Sequence, residues 1–379
     1  MDLLAGLREL SSQMDFEPAE DAGFKKTSCK QDSIHIFDAK LPNGKQIRLL
    51  KTLLTSACEN NCNYCPFRAG RDVRRSTLKS GEMAQVFDSL LHAGIVEGMF
   101  LSSGVVGGGI LTQDRLIDTA EILRFKFGFR GYLHLKIMPG AERGQVERSM
   151  QLADRVSLNL EAPNSQCLER LAPGKVFSEE LIQPLRWVEE IRQTIPACFG
   201  WKNHWPSMTT QFVVGAVNES DVELLTTTDF MHRNLGLGRA YFSPFRPVLN
   251  TPFENQPPTS PIREHRLYQA SFLLRDYDFE LEELPFGENG NLPLSTDPKL
   301  AWATSNLIQA PIEINRSSRR ELLRVPGIGP KSVDAILEAR RKGRIRTLED
   351  IRKIGIDPYR AAPFILLDGK IPNRQLSFW

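Results

Sequence analysis

Three cysteines fall within eight residues, in the stretch Cys58-Glu59-Asn60-Asn61-Cys62-Asn63-Tyr64-Cys65. Thiolates gathered in one short loop suit soft metals. Three of them suffice for three irons of a cubane iron–sulfur cluster and leave the fourth iron without a protein ligand. A structural zinc site would need a fourth Cys or His to close its tetrahedron, and the nearest candidates are His35 and His92. A two-cluster ferredoxin would space its cysteines by two, two and three residues, with a proline after the fourth. Neither pattern fits well. Disulfides are disfavoured, because the six cysteines of this 379-residue chain show no paired spacing.

The loop needs a scaffold, and hydrophobic periodicity supplies one. The apolar run from Gln46 to Thr55 predicts a first buried strand that delivers the loop at its C-terminal end. Further strands are predicted at Met99–Ser102, Tyr132–Ile137, Val156–Leu160, Thr210–Val214 and Ala240–Ser243. Helices are expected between them, around residues 80–95, 114–127, 142–152, 178–194 and 220–234. Six alternating strands and helices imply a parallel sheet with right-handed crossovers, curled into a partial (βα)6 barrel whose sites lie at the C-terminal strand ends. The expected organisation is an N-terminal extension (1–45) and the α/β partial barrel (46–248). A connector packed on the barrel (249–312) and a C-terminal all-α helix-hairpin-helix domain (313–379) follow. No apolar run approaches the roughly 18 residues of a membrane span, so a cytoplasmic protein without a membrane partner is expected.

The C-terminal region carries a second signal, Val325-Pro326-Gly327-Ile328-Gly329-Pro330-Lys331. It separates two short predicted helices, the first opened by a Ser318-x-x-Glu321 capping box. Glycines in such a turn let backbone N–H groups face outward at the positive end of the next helix, a geometry suited to phosphate. Pro326, Gly327, Ile328, Gly329 and Lys331 are therefore candidate nucleic-acid contacts, in a turn resembling a helix-hairpin-helix, with a weaker echo at 347–356. The whole chain has a formal net charge of +2, but Ile314–Ile356 holds twelve Lys/Arg against five Asp/Glu, a local +7. A basic block on a folded module points to a polyanion partner.

The cysteine spacing, with an aromatic residue before the last cysteine, resembles the signature of the radical S-adenosylmethionine (radical SAM) superfamily. More widely the chain resembles the DNA modification/repair radical SAM family. The likeness is carried by Leu49–Pro66, Met99–Val105, Phe129–Lys136, Ala153–Asn159, Thr210–Ala216, Arg263–Ala270, Asp297–Ala303 and the hairpin at 325–330. The resemblance implies a [4Fe-4S] cluster on Cys58, Cys62 and Cys65. It also implies S-adenosylmethionine bound at the open iron and split reductively to a 5′-deoxyadenosyl radical. Ser102-Ser103-Gly104 stands where the superfamily has a small-residue motif ending in Glu that binds the SAM amino group; the acid is missing here. Asn159 and Glu161 resemble contacts to the SAM ribose or carboxylate, and Gly215 resembles a turn flanking the adenine. Tyr64 is read as contributing packing and backbone. His134 and Lys136 alternate with apolar neighbours, so they share the interior face and are candidates for SAM carboxylate contact or proton handling. The partners implied are nucleic acid, DNA before RNA, an electron donor such as flavodoxin or ferredoxin, and a uracil-DNA-glycosylase-like protein.

Other features have plainer readings. Gly107-Gly108-Gly109 lacks a following Gly-Lys-Ser/Thr and is read as a flexible turn. Arg68, Arg71, Arg74 and Arg75 are a solvated face or touch substrate phosphates. Cys29, Cys167 and Cys198 are packed or surface thiols, the last two also conceivable as hydrogen-atom donors. The leading functional expectation is a radical SAM enzyme acting on DNA. The alternatives are an RNA-modifying radical SAM enzyme and a DNA-binding iron–sulfur redox sensor without catalysis.

Overall fold

Strand β1 (Ile36–Lys40) runs antiparallel to β2 (Gln46–Leu53), pairing Ile36 with Leu50 and Lys40 with Gln46. In this computed structural model, which describes residues 3–12, 14, 34–41 and 44–372, β2 then opens a run of six parallel strands. They are β2, β3 (Gly98–Ser102), β4 (Tyr132–Lys136), β5 (Arg155–Ser157), β6 (Ser207–Val214) and β7 (Arg239–Pro244), each beside its predecessor. The result is one open seven-stranded α/β sheet in sequence order. All six predicted strands form; β1 was not anticipated, and β5 stops at Ser157 where the apolar pattern runs on to Leu160. Cys29 lies outside the described residues.

Helix α1 (Leu3–Ser12) precedes the sheet, and the crossovers are α2 (Ser80–His92), α3 (Gly108–Glu121), α4 (Arg143–Leu152), α5 (Ser165–Leu171), α6 (Gln183–Thr194) and α7 (Asp221–Leu235). Their starts follow local chemistry. Glu82 accepts from the Lys79 N–H at α2, Gln145 Oε1 accepts from the Glu142 N–H at α4, and the Asn164 side chain accepts from the Cys167 N–H at α5. The strands are apolar on both faces because helices cover one side and the other faces the interior, as Leu49, Phe100, Leu135, Val156 and Phe212, all fully buried, illustrate. Burial of a guanidinium at the base of β4 is tolerated because Arg124 donates to the carbonyls of Phe129, Gly131 and Leu152, pairs with Asp154 and stacks 3.9 Å from the Trp201 ring.

The chain divides into two compact units, one of 1–219 with 230–259 and one of 220–229 with the chain from Ser260. The first holds the sheet. The second contains α8 (Pro261–Asp276), α9 (Pro298–Asn306), β8 (Ile312–Glu313), α10 (Arg319–Arg324), α11 (Pro330–Lys342), α12 (Leu348–Lys353), α13 (Pro358–Ala361) and β9 (Ile365–Leu366). Residues 260–312, expected as a connector, thus fall in the same unit as the hairpin, and Ala303 and Leu307 pack in one core with Leu322, Ile328, Val333 and Ile336. The C-terminal region was expected to be all-α. It instead carries a small parallel pairing, β8 with β9, extended by Ile314 N–H donating to Leu366, which ties the end of the region to its start.

Two helix–turn–helix pairs repeat within this unit. Ser318 with Glu321 caps α10 and Thr347 with Asp350 caps α12, and each pair turns through a left-handed glycine, Gly327 at φ 84° and Gly355 at φ 81°.

Candidate functional site

The cysteine loop leaves the sheet at the end of β2 and comes back to the same point. Leu54 and Leu78 are joined by a backbone hydrogen bond of 3.0 Å, as are Ser56 and Ser76, and the Thr55 and Thr77 hydroxyls lie 2.6 Å apart. Inside this closed excursion the Arg75 guanidinium donates to the carbonyls of Ser56 (2.7 Å), Phe67 (3.0 Å) and Arg68 (3.0 Å). Arg68 donates to Asn61 and Arg71 to Leu249 and Pro66. The basic tract is therefore largely turned onto loop backbone, and Arg74 pairs with Glu9 at 3.1 Å. Charge here shapes the loop, a role neither sequence reading foresaw, while Arg74 stays exposed as a solvated face would.

The loop is also fitted to β3 and α3. Gly104 N–H donates to Thr55, and a Cβ at Gly104 would lie 2.1 Å from the Ala57 carbonyl oxygen, so only glycine permits this approach. Glu59, between the first two cysteines, accepts from the Gly107 (3.0 Å) and Gly108 (2.7 Å) N–H groups at the start of α3. The glycine run is thus a receptor for a carboxylate of the loop itself, placed where a helix N-terminus favours negative charge. On the far side, Asn63 binds the Leu171 and Arg170 carbonyls through its N–H and side-chain amide, both at 2.8 Å.

Cys58, Cys62 and Cys65 line one cavity of about 190 Å³ at the C-terminal strand ends. Ser102, Ser103 and Gly104 reach it from the end of β3, Lys136 from β4, and Asn159 and Glu161 from the segment after β5. Tyr64 lines it as well. Two sulfurs accept backbone N–H groups at 3.4 Å, Cys58 from Val105 and Cys65 from Phe67, contacts that suit sulfur carrying thiolate charge. Burial, then the neighbouring Cys62, pushes the Cys65 thiol far up, and burial raises Cys62 although Lys175 opposes it. A bound metal group would reverse that balance.

Among the described residues no three Cys, His, Asp or Glu side chains converge as ligands of a single metal ion, and the exposed His92 is engaged with Asp88 on its own helix. Of the described residues lining the cavity, no His or further Cys stands beside the three thiols, a donor set that suits an iron–sulfur cluster.

In the same cavity sits a buried ion pair, of which the sequence marked Glu161 but not Lys175. Glu161 pairs with Lys175 at 2.9 Å, both side chains almost wholly buried. Its backbone is left-handed at φ 66°, held by hydrogen bonds with Gln211 and Val213 of β6, a conformation that costs on the order of 1–3 kcal/mol for a non-glycine residue. Burial disfavours the Lys175 charge, but the Glu161 carboxylate outweighs it and raises the ammonium above its usual range. Burial and the Glu161 charge likewise push the Tyr64 phenol well up. Glu161 Oε2 is buried without a hydrogen-bond partner. An orphaned acceptor in a cavity wall is matched by a ligand that brings a donor, such as an amine or a ribose hydroxyl.

Not every predicted residue joins them. His134 lies on the Lys136 face but one pleat repeat deeper, its Nε2 2.8 Å from Ser157 Oγ and its ring 4.4 Å from Phe100, away from the cavity lining. Gly215 closes the turn after β6 by donating to Glu219 and does not line the cavity. Lys136 is joined to Asn159, and the Ser103 hydroxyl donates to the Gly104 carbonyl. Cys167 is buried in α5 and Cys198 exposed, neither at the cavity. Lys175 and Arg246 also line it, and no spacing pattern marks either.

In the second unit, Gly327 is exposed, Pro326 and Ile328 are buried, and Lys331 is exposed. Gly329 has an ordinary extended backbone, φ −108°, and a Cβ there would sit tightly, 3.1 Å from the Tyr277 hydroxyl. Much of the local positive charge is internally matched. Arg324 is buried against Glu283 and Phe279, Arg340 donates to Ser317 and Ile314, and Arg319 pairs with Asp334.

No protein-family model matches the chain, and no curated protein is detectably similar to it in sequence. Among solved structures it is similar to the FeFe-hydrogenase maturase HydG from Carboxydothermus hydrogenoformans (16% identity over 60% of this chain and 51% of that one, TM-score 0.47). It is also similar to methylornithine synthase PylB (14%, 60% and 61%, TM-score 0.46) and to a radical SAM methyltransferase from Sphaerobacter thermophilus (17%, 63% and 70%, TM-score 0.43). The chain spans about half the length of the maturase it matches.

Proposed function

We propose that this chain is a radical SAM enzyme that acts on a nucleotide of DNA. The observation that carries the first half is the cavity: three cysteines at spacings of four and three, with two N–H···S contacts, share it with a buried carboxylate, Glu161, whose Oε2 lacks a hydrogen-bond partner. Cys58, Cys62 and Cys65 would hold a [4Fe-4S] cluster, and Glu161 would help to hold S-adenosylmethionine in the same cavity. That pair of groups supplies reductive cleavage of S-adenosylmethionine to a 5′-deoxyadenosyl radical, for which a one-electron donor of the flavodoxin or ferredoxin class is required. The residues of the chain bind and orient: Glu161 accepts from a ligand donor, Lys136 and Lys175 offer positive charge towards a ligand carboxylate, and the apolar wall of Leu53, Ile137 and Val213 excludes water.

The second half rests on the helix–turn–helix pair at Gly327. We read it as a helix-hairpin-helix that grips sugar–phosphate backbone through Gly327, Gly329 and Lys331 without reading bases, which makes DNA the substrate class.

Anaerobically reconstituted, reduced protein incubated with S-adenosylmethionine is expected to release 5′-deoxyadenosine, and Cys62→Ala to release none. Intact, iron-loaded protein that releases none would overturn the enzyme reading.

A further inference from the structure

A second cavity, of about 260 Å³, opens beside the hairpin turn. Gly327, Ile328 and Gly329 form one wall, and Tyr277, just past the end of α8, Lys299 of α9 and Arg360 of α13 reach it. Lys299 is the unexpected member. Its ammonium donates to the Ile328 carbonyl of the turn and sits 4.6 Å from the centre of the Tyr277 ring. A turn carbonyl facing a cavity repels an approaching anion. An ammonium held on that carbonyl reverses the local sign. Arg360 packs its Cβ 3.0 Å from where a Gly327 Cβ would be and pairs with Asp297 at 3.1 Å, its side chain still more than half exposed.

We propose that this cavity is a phosphodiester seat, in which Lys299 and Arg360, from outside the hairpin, place positive charge beside the Gly327–Gly329 turn to hold a DNA backbone phosphate. The assignment rests on the nucleic-acid reading above and adds to it the two side chains that make the turn a site. The cavity itself holds Lys299 and Arg360 against Asp297, an excess of one cation, while Arg324 acts on Lys299 from outside the lining and is itself paired with Glu283. Burial, with those two arginines, depresses Lys299 to about 7, so an entering phosphate stabilises its charged form. Binding should accordingly weaken as pH rises through that value.

The test uses the full chain and a short fluorescein-labelled DNA duplex, with anisotropy titrations at several salt concentrations and from about pH 6 to about pH 8.5. Lys299→Gln and Arg360→Gln should each weaken binding about tenfold, and each should flatten the slope of log affinity against log salt by about 0.9. Lys299→Arg should keep the affinity and lose the pH dependence, a result that a merely structural strut on Ile328 would not produce. If the unsubstituted protein binds duplex and Arg360→Gln and Lys299→Gln bind with its affinity and salt slope, the seat is wrong and the nucleic-acid reading survives. If the unsubstituted protein does not bind duplex at all, both fall.

Discussion

Replacing Arg75 by alanine removes three hydrogen bonds that tie the two ends of the cysteine loop, to Ser56, Phe67 and Arg68. Hydrogen bonds from a charged donor contribute about 1.5–3 kcal/mol each. The guanidinium is half-buried and the three bonds share one group, so they do not add fully; about 3 kcal/mol for the set is the working figure. In the variant a bound cluster has to impose the loop shape that Arg75 now pre-forms. At 1.4 kcal/mol per factor of ten, iron retention should fall by about 100-fold. Anaerobic reconstitution followed by chelator titration, read by iron content and visible absorbance, measures this, with circular dichroism confirming that the sheet remains folded. Arg75→Lys should fall between, because an ammonium lacks the guanidinium's fork and cannot reach three carbonyls in one plane. Iron retention in Arg75→Ala equal to that of the unsubstituted protein would refute the view that the loop is shaped in advance.

Glu59→Gln keeps the shape of the side chain but removes the charge held by the Gly107 and Gly108 N–H groups, and should cost about 1 kcal/mol, read as a melting point lower by about 2–4 °C in a scan of the apo-protein. For Lys299 the sign follows from its depressed value of about 7 against 10.5 in the unfolded chain. Between those values the unfolded chain holds more protons, so this group makes stability rise with pH, by at most about 1.4 kcal/mol per unit. Urea midpoints at about pH 7 and about pH 9 should show that rise, and Lys299→Met should lack it and be the more stable at the lower pH.

What could be read from the sequence, and what could not, divides along physical lines. The parallel strands were legible because burial on both faces leaves continuous apolar runs such as Met99-Phe100-Leu101. β1 was not, since Ile36-Phe37-Asp38-Ala39-Lys40 is short, half-exposed and mixed in character. Cysteine spacing placed the loop. The groups that shape it act on backbone carbonyls and amides, as Arg75 and Glu59 do, and backbone partners leave no trace in residue spacing. Period-two alternation correctly put His134 and Lys136 on one face, yet it carries no information on depth, and only Lys136 reaches the cavity. In the second unit, Gly327 fits its turn through a left-handed backbone, whereas the space at Gly329 is limited by Tyr277, some fifty residues earlier in the chain.

The central claim, that the cysteine cavity generates a radical which is spent on DNA, is tested most directly by isotope transfer. Reduced, reconstituted protein would be incubated with unlabelled S-adenosylmethionine and an oligodeoxynucleotide deuterated throughout its nucleotides, and the 5′-deoxyadenosine released would be weighed by mass spectrometry. Deuterium in that product, absent when the oligonucleotide is unlabelled and lost in Cys62→Ala, is the predicted result. Release of 5′-deoxyadenosine at an unchanged rate and without deuterium, whatever nucleic acid is supplied, would contradict it.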